Sequence, residues 1–381
     1  MQLQIDISRP YGIVLEGGGA RGAYQIGAWK ALKEAGVQIR GIAGSSVGAL
    51  NGALMCMDDL EKAENLWKNI SYSRVMDVDE IPVELLQDWK SVGFKEALSG
   101  AASILKDGGI DIAPLRQLIA DSVDERKIRQ SERELFVTTF SVDERRQMVL
   151  DVRNLPEGEI GDALLASAYF LVFKNEKLGG RRYMDGGMLN NVPVDVLLEQ
   201  GYRDIIVIRI YGPGIDTEKW IEIPDEVTVH RIAPRQNLGG ILEFDSRRTV
   251  KNMKLGYYDA KRMLYGLAGR SYYIDAPQSE AYYFDKMMSE LELLKLQLFP
   301  HLDEEERGQL SGYRAFTERV FPALADQLKL GENWDYRELY LALLEAWAKK
   351  LKMNRLHIYA VDEIVQNVYI HLGKLDSLLP L

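Results

Sequence analysis

Apolar residues near the start of the chain change spacing in a repeating way. Residues 12–15 (GIVL) form a short unbroken apolar run bounded by glycines, which reads as a buried strand. In the AYQIGAWKALKEAG that follows, Ala23, Ile26, Trp29, Ala31 and Leu32 share one side of a helix, and Gly36 supplies its stop. A second strand, VQIRGIAGS, runs into VGALNGALMCM, a helix apolar almost all round and therefore expected to be buried. This β-α-β-α order predicts an α/β fold with a largely parallel sheet between helices.

Residues 60–121 read as helical with glycine interruptions, notably SGAASILKDGG, and are expected to form a cap-like insertion. ELFVTTFSVDERRQMVLDV alternates about a polar turn and predicts a β-hairpin. DALLASAY reads as a short helix, RRYMDGG as a strand ending in an acid and two glycines, and DIIVIRIYG as an apolar strand. DSRRTVKNMKLGYYDAKRMLYGL predicts an amphipathic helix with Val250, Met253, Tyr257, Met263 and Leu264 on one face. Its basic positions are Arg247, Arg248, Lys251, Lys254, Lys261 and Arg262, which would suit either a packed surface helix or one lying on anionic lipid. Beyond SYYIDAP the pattern is helical and leucine-rich. The expected division is a core over residues 8–275, with the cap-like insertion at about 60–121, and a helical C-terminal region over residues 276–381.

With 381 residues, 46% hydrophobic and 27% charged, the chain can bury a substantial core. A net charge of -10 gives no reason to expect a nucleic-acid partner. The single cysteine, Cys56, excludes an intrachain disulfide and a Cys-rich metal site, and its setting in NGALMCM fits a small core residue. MQLQIDISRPYG lacks the basic and apolar regions of a secretory signal, and no window approaches the ~18 apolar residues of a membrane span. The expectation is a cytoplasmic protein whose contact with membranes would be peripheral.

Candidate chemistry gathers at the strand ends. Gly17, Gly19 and Gly22 satisfy the G-x-G-x-x-G spacing of a dinucleotide-binding turn. That use also needs an acid at the end of the second strand, to hold the ribose hydroxyls. Here the strand ends in AGSS, and no Asp or Glu occurs between Glu34 and Asp58. A phosphate-binding P-loop fails as well, because no Gly-Lys-Ser/Thr closes the loop. The second strand instead delivers Gly44, Ser46 and Gly48, the G-x-S-x-G of a nucleophile elbow. Small residues two positions either side let the chain turn sharply and expose the serine hydroxyl above a helix N-terminus. Ser45 does not fit that frame, because Ala43 and Val47 would flank it. Ser46 is the candidate nucleophile.

A serine nucleophile needs a base. The four histidines, His230, His301, His357 and His371, all lie beyond the first 229 residues. Asp185 ends a strand and is followed by Gly186 and Gly187, so it could accept the serine proton, although Asp-Gly is also ordinary turn chemistry. The order Ser46, Asp185, His230 also matches a Ser-His-Asp hydrolase, with His230 in the strand pattern VTVHRIAP. A third alternative is a protein that keeps the fold as a binding or scaffolding module without catalysis.

GGGARG after the first strand, GSSVG after the second, and DGG followed by Asn191 and Pro193 occur in that order. Together they resemble the patatin-like phospholipase family, lipid acyl hydrolases that use a Ser-Asp dyad, over about residues 11–198. The resemblance implies a three-layer α/β/α core with a mostly parallel central sheet, followed in this chain by the helical C-terminal region. It implies Ser46 as nucleophile and Asp185 as general base. The amides around Gly17, Gly18 and Gly19 would form the oxyanion hole, with Arg21 supporting that loop. No metal and no cofactor are implied, and the substrate would be a lipid or another acyl ester. One departure stands out: the family often carries prolines after the helix that DALLASA resembles, and YFLVFKNEKL has none, which bears on the shape of an acyl groove.

Overall fold

The computed structural model describes residues 1–76, 110–169, 173, 177–298 and 313–371. They divide into two compact units, one of Leu3–Leu264 and one of Met1–Gln2 with Tyr265–Leu381.

In the larger unit β1 (Pro10–Leu15) leads to α1 (Ala23–Glu34), then β2 (Gln38–Ser45) and α2 (Val47–Cys56). Next come α3 (Leu60–Lys68), α4 (Tyr72–Val75), α5 (Ala113–Ser122), α6 (Glu125–Gln130), β3 (Glu134–Ser141) and β4 (Arg146–Asp151). The unit continues with α7 (Ile160–Ser167), β5 (Tyr183–Asp185), α8 (Val194–Glu199), β6 (Asp204–Ile208), β7 (Thr228–Ile232) and α9 (Ser246–Tyr265). The sheet order is β4-β3-β2-β1-β6-β7, with β5 also pairing β3. β3, β2, β1, β6 and β7 run parallel to their neighbours along this path, while β4 and β5 lie antiparallel to β3. The sheet is therefore mixed and mostly parallel, as expected. The parallel register brings the ends of β1 and β2 level, Leu15 opposite Gly44.

Side chains alternate between the two faces of the sheet. Val14, Ala43, Phe136, Ile205 and Val207 pack with Val194, Val196 and Leu197 of α8. The intervening positions turn to α2, where a Cβ at Gly52 would meet Leu135 at 2.8 Å and Ile42 at 3.0 Å. Helices thus cover both faces in three layers.

The amphipathic helix expected near residue 250 is α9, but its buried face differs from the apolar spacing. Met253 and Leu264 are buried as expected, but so are Thr249, Asn252, Leu255, Gly256, Asp259 and Ala260, whereas Val250, Tyr257 and Met263 are only half-buried. The cause is a close crossing with α1. A Cβ on Gly27 would collide with the Met253 carbonyl oxygen, and one on Gly256 with the Tyr24 carbonyl oxygen, so the two backbones touch. Polar side chains on this face are hydrogen-bonded: Tyr24 donates to Asp259 at 2.8 Å and the Asn252 amide donates to the Leu238 carbonyl at 2.8 Å. Counting apolar side chains cannot reveal a face that packs through glycine and buried hydrogen bonds.

Of the expected cap-like insertion, α3, α4 and α5 are described; residues 77–109, including SGAASILKDGG, lie outside the described residues. The smaller unit contains β8 (Tyr273–Asp275), α10 (Glu280–Ser289), α11 (Leu291–Leu298), α12 (Phe321–Gln327), α13 (Tyr336–Lys350), β9 (Ile358–Ala360) and α14 (Val361–Ile370). Tyr283, Leu294, Phe316, Phe321, Tyr340, Leu344 and Trp347 share its core. It is helical as expected, with one addition. β8 and β9 pair in parallel, Ile274 opposite Tyr359. Parallel pairing needs a long crossover, here the helices between them, so local periodicity cannot announce it. Among the described residues no helix is long and apolar enough to cross a membrane.

Candidate active site

Ser46 sits between β2 and α2 with φ 52° and ψ −124°, a backbone conformation that side-chain-bearing residues rarely adopt. The flanking glycines make the turn possible. A Cβ at Gly44 would lie 2.5 Å from the Gly48 carbonyl carbon, and one at Gly48 would run into the Leu15 carbonyl oxygen. The Ser46 N–H donates to Ser167 Oγ at 2.8 Å, and that hydroxyl donates to the Thr138 carbonyl at 2.6 Å.

Asp185 closes β5, held in register opposite Thr139, with its N–H on the Tyr169 carbonyl at 2.9 Å. Its carboxylate accepts the Gly187 N–H at 2.8 Å and lies beside the Ser46 side chain. With 8% of the residue exposed, burial pushes this carboxyl up to about 6, and the Ser46 hydroxyl and the Gly187 amide oppose the rise only in part. At neutral pH it is therefore mostly ionised yet unusually basic for a carboxylate.

The glycine loop follows β1. Gly17 donates to the Asn191 carbonyl at 3.3 Å and accepts from Asn191 Nδ2 at 3.2 Å. The N–H groups of Gly18 and Gly19 have no acceptor among the described residues, and both glycines line the same cavity as Ser46. Arg21 donates to the carbonyls of Gly239 at 2.9 Å, of Ile210 at 3.4 Å and of Tyr211. Its guanidinium is thus occupied in stapling the loop to two distant segments.

Glu16 was not singled out by sequence spacing. It is 2% exposed, and its carboxylate accepts the N–H groups of Ile210 (2.6 Å), Tyr211 (3.0 Å) and Gly212 (3.2 Å). It also accepts from Arg209 Nε at 3.0 Å and Asn191 Nδ2 at 3.5 Å. Burial pushes its carboxyl up, against the pull of Arg209 and these amides. A buried polar chain backs the loop. Gln25 donates to the Glu16 carbonyl (2.7 Å), Asn51 to the Gly22 carbonyl (2.9 Å) and to Gln25 (2.8 Å), and Trp67 to Asn51 (2.9 Å). The available signal was an acid inside an apolar strand end, GIVLEG, which must find partners if it is buried.

Ser46, Asp185, Gly17, Gly18 and Gly19 border a cavity of about 650 Å³. Its walls are apolar: Leu54, Trp67, Met76 and Phe244, with Leu115, Leu118 and Ile119 from one face of α5. That volume and character suit an acyl chain. His230 is not brought to this site. It lies opposite Ile206 on β7, with its ring centroid 6.2 Å from that of Tyr11. Tyr11 pairs with Ile39 whereas Leu15 pairs with Gly44, so Tyr11 is four strand residues, ~13 Å, from the end where Ser46 follows. His301 lies outside the described residues. Cys56 is buried and its thiol is pushed up to about 12 by burial, which suits packing rather than reactivity.

The family model for patatin-like phospholipases matches residues 13–198. This stretch belongs to the patatin-like phospholipase family. The chain is 58% identical over 50 residues to "Lysophospholipase nte1" of Aspergillus terreus, covering 13% of this chain and 3% of that one. It is 26% identical over 202 residues to "Patatin-like phospholipase domain-containing protein 7" of Rattus norvegicus, covering 52% and 13%. To "Patatin-like phospholipase domain-containing protein ZK370.4" of Caenorhabditis elegans it is 30% identical over 207 residues, again covering 52% and 13%. These matches span no more than 13% of the relatives' own lengths. The patatin-like stretch ends before β6, so the partners of Glu16 at residues 209–212 and those of Arg21 at residues 210, 211 and 239 come from outside it.

Proposed function

We propose that the chain is a lipid acyl hydrolase that cleaves a carboxylic ester through an acyl-enzyme on Ser46, with Asp185 as general base. One observation carries this reading: the Ser46 side chain stands beside a buried carboxylate whose ionised form it favours, next to the Gly18 and Gly19 amides, which have no acceptor among the described residues, at the wall of an apolar cavity. Asp185 takes the proton as Oγ bonds to the ester carbonyl carbon. The carbonyl oxygen becomes the oxyanion and is held by the Gly18 and Gly19 N–H groups, each worth about 2.7–4 kcal/mol if it behaves as in a well-measured serine hydrolase. As the carbonyl re-forms, the C–O bond to the alcohol breaks and the alcohol leaves with the proton from Asp185. Water then repeats the sequence: Asp185 accepts its proton, the acyl–Oγ bond breaks, and Ser46 is restored as the fatty acid departs. The proton acceptor that histidine provides in other serine hydrolases is here a carboxylate made more basic by burial.

The substrate class follows from the cavity walls and from relatives named as phospholipases and a lysophospholipase. Access to such lipids would be by peripheral contact with a membrane from the cytoplasmic side. The test is labelling by a fluorophosphonate together with hydrolysis of a panel of lipid classes and acyl lengths. Wild type should label and turn over at least one lipid ester, and Ser46→Ala should do neither. Absence of labelling in a folded wild type would favour the silent binding or scaffolding module.

A further inference from the structure

Ser167, the last residue of α7, is fully buried and belongs to the short helix DALLASAY, whose place in the chemistry is otherwise unassigned. Its hydroxyl accepts the Ser46 N–H at 2.8 Å and donates to the Thr138 carbonyl at 2.6 Å. Both roles at once require a hydroxyl, which is donor and acceptor in one atom. Removing it would leave the Ser46 N–H and the buried Thr138 carbonyl without these partners.

Thr138 faces both halves of the site. Its hydroxyl donates to the Gly44 carbonyl at 3.3 Å, on the elbow side. Its carbonyl packs on Gly186, where a Cβ would collide with it, and the next residue, Thr139, pairs with Asp185. The nearness of the Ser46 side chain to Asp185 is therefore not the elbow's sole tie to the acid. A second route runs from the Ser46 amide through Ser167 to the strand against which the Asp185–Gly186 turn rests. The positive φ of Ser46 is a strained conformation, and such strain persists only where the surroundings hold it.

We propose that Ser167 is a positioning residue: its hydroxyl clamps the backbone of Ser46 in the strained conformation and sets the nucleophile against the Asp185 turn. With its N–H committed to Ser167, Ser46 itself contributes no amide to a developing oxyanion. The kinetic consequences rest on the acyl-hydrolase reading; the clamp itself does not.

The test uses full-length Ser167→Ala, Ser167→Cys and Ser167→Thr, with kinetics normalised to folded protein and hydrogen exchange followed at the Ser46 amide. In Ser167→Ala, exchange at Ser46 should quicken at least about tenfold, and kcat should fall about 10²-fold with KM little changed, as for a slightly misplaced reacting group. The pH midpoint of kcat/KM should rise, because Asp185 loses the Ser46 hydroxyl as a steady donor. Ser167→Cys keeps the volume but offers only a weak donor and acceptor, so it should show the same pattern even if the Ala variant does not fold. Ser167→Thr, which retains the hydroxyl, should recover most of the lost kcat. A folded Ala or Cys variant with kcat within about threefold of wild type and an unchanged Ser46 exchange rate would overturn the proposal. Faster exchange at Ser46 in a protein with no esterase activity in its wild-type form would sink the hydrolase reading while leaving the clamp in place.

Discussion

Two acids are buried at strand ends in the larger unit, Glu16 after β1 and Asp185 in the last position of β5, and they are treated in opposite ways. Glu16 is surrounded by donors: three consecutive backbone amides, an arginine and an asparagine amide. Asp185 accepts one backbone amide and has the Ser46 hydroxyl beside it. Burial raises the proton affinity of both. In Glu16 every oxygen is committed to holding residues 209–212 against the glycine loop, so the group serves structure. Beside Asp185, on the proposed reading, stands a hydroxyl with a proton to give up, so the acid's raised basicity would be available for chemistry. Burial alone does not distinguish a structural acid from a reactive one; the identity and number of its donors do.

The comparison can be tested hardest at Asp185. Asp185→Asn keeps the shape but cannot take a proton, and turnover should fall on the order of 10³–10⁴-fold with the fold retained by circular dichroism. A loss smaller than about tenfold would remove Asp185 from the base role. The next effect is a pH dependence. The ordinary aspartate value is 3.8 and the folded value about 6, so the folded chain binds more protons between these limits. Stability should therefore fall as pH rises from about 4 to about 6, by about 3 kcal/mol, and the slope in this window should be absent from Asp185→Asn. Over the same interval kcat/KM should climb, reaching half its plateau near pH 6. Denaturant midpoints and rate profiles across pH 4–8 check both.

Glu16→Gln sharpens the other side. Its NH₂ would confront donors that now point at a carboxylate, at a cost of about 1–3 kcal/mol in stability. Activity per folded molecule should drop far less than in Asp185→Asn; an equal drop would show that Glu16 does more than hold the loop. The smallest effect is expected at His230→Ala, which should leave kcat within about twofold, since its ring stands by Tyr11 at the far end of the strands. A collapse of kcat there at unchanged stability would reinstate a histidine base.

These contrasts also mark what could be read from the chain beforehand. The alternation of strands and helices, the elbow glycines and the acid before Gly186 are local patterns, and local patterns survive in a sequence. The crowding of donors on Glu16 is not local, because residues 210–212 lie some 195 positions away. Ser167 is one of several small residues in ALLASA; only the packing of α7 on β3 gives its hydroxyl two partners. The buried face of α9 is legible only in part, at Met253 and Leu264, since glycine and buried polar groups carry its contact with α1.

The left-handed backbone at Ser46 has a consequence for how this sequence could have arisen. Glycine adopts that conformation at no steric cost, so a chain selected for folding alone would drift toward glycine at position 46. A serine there runs against the easier choice, and on the proposed acyl-hydrolase reading the hydroxyl that glycine lacks is what offsets that cost.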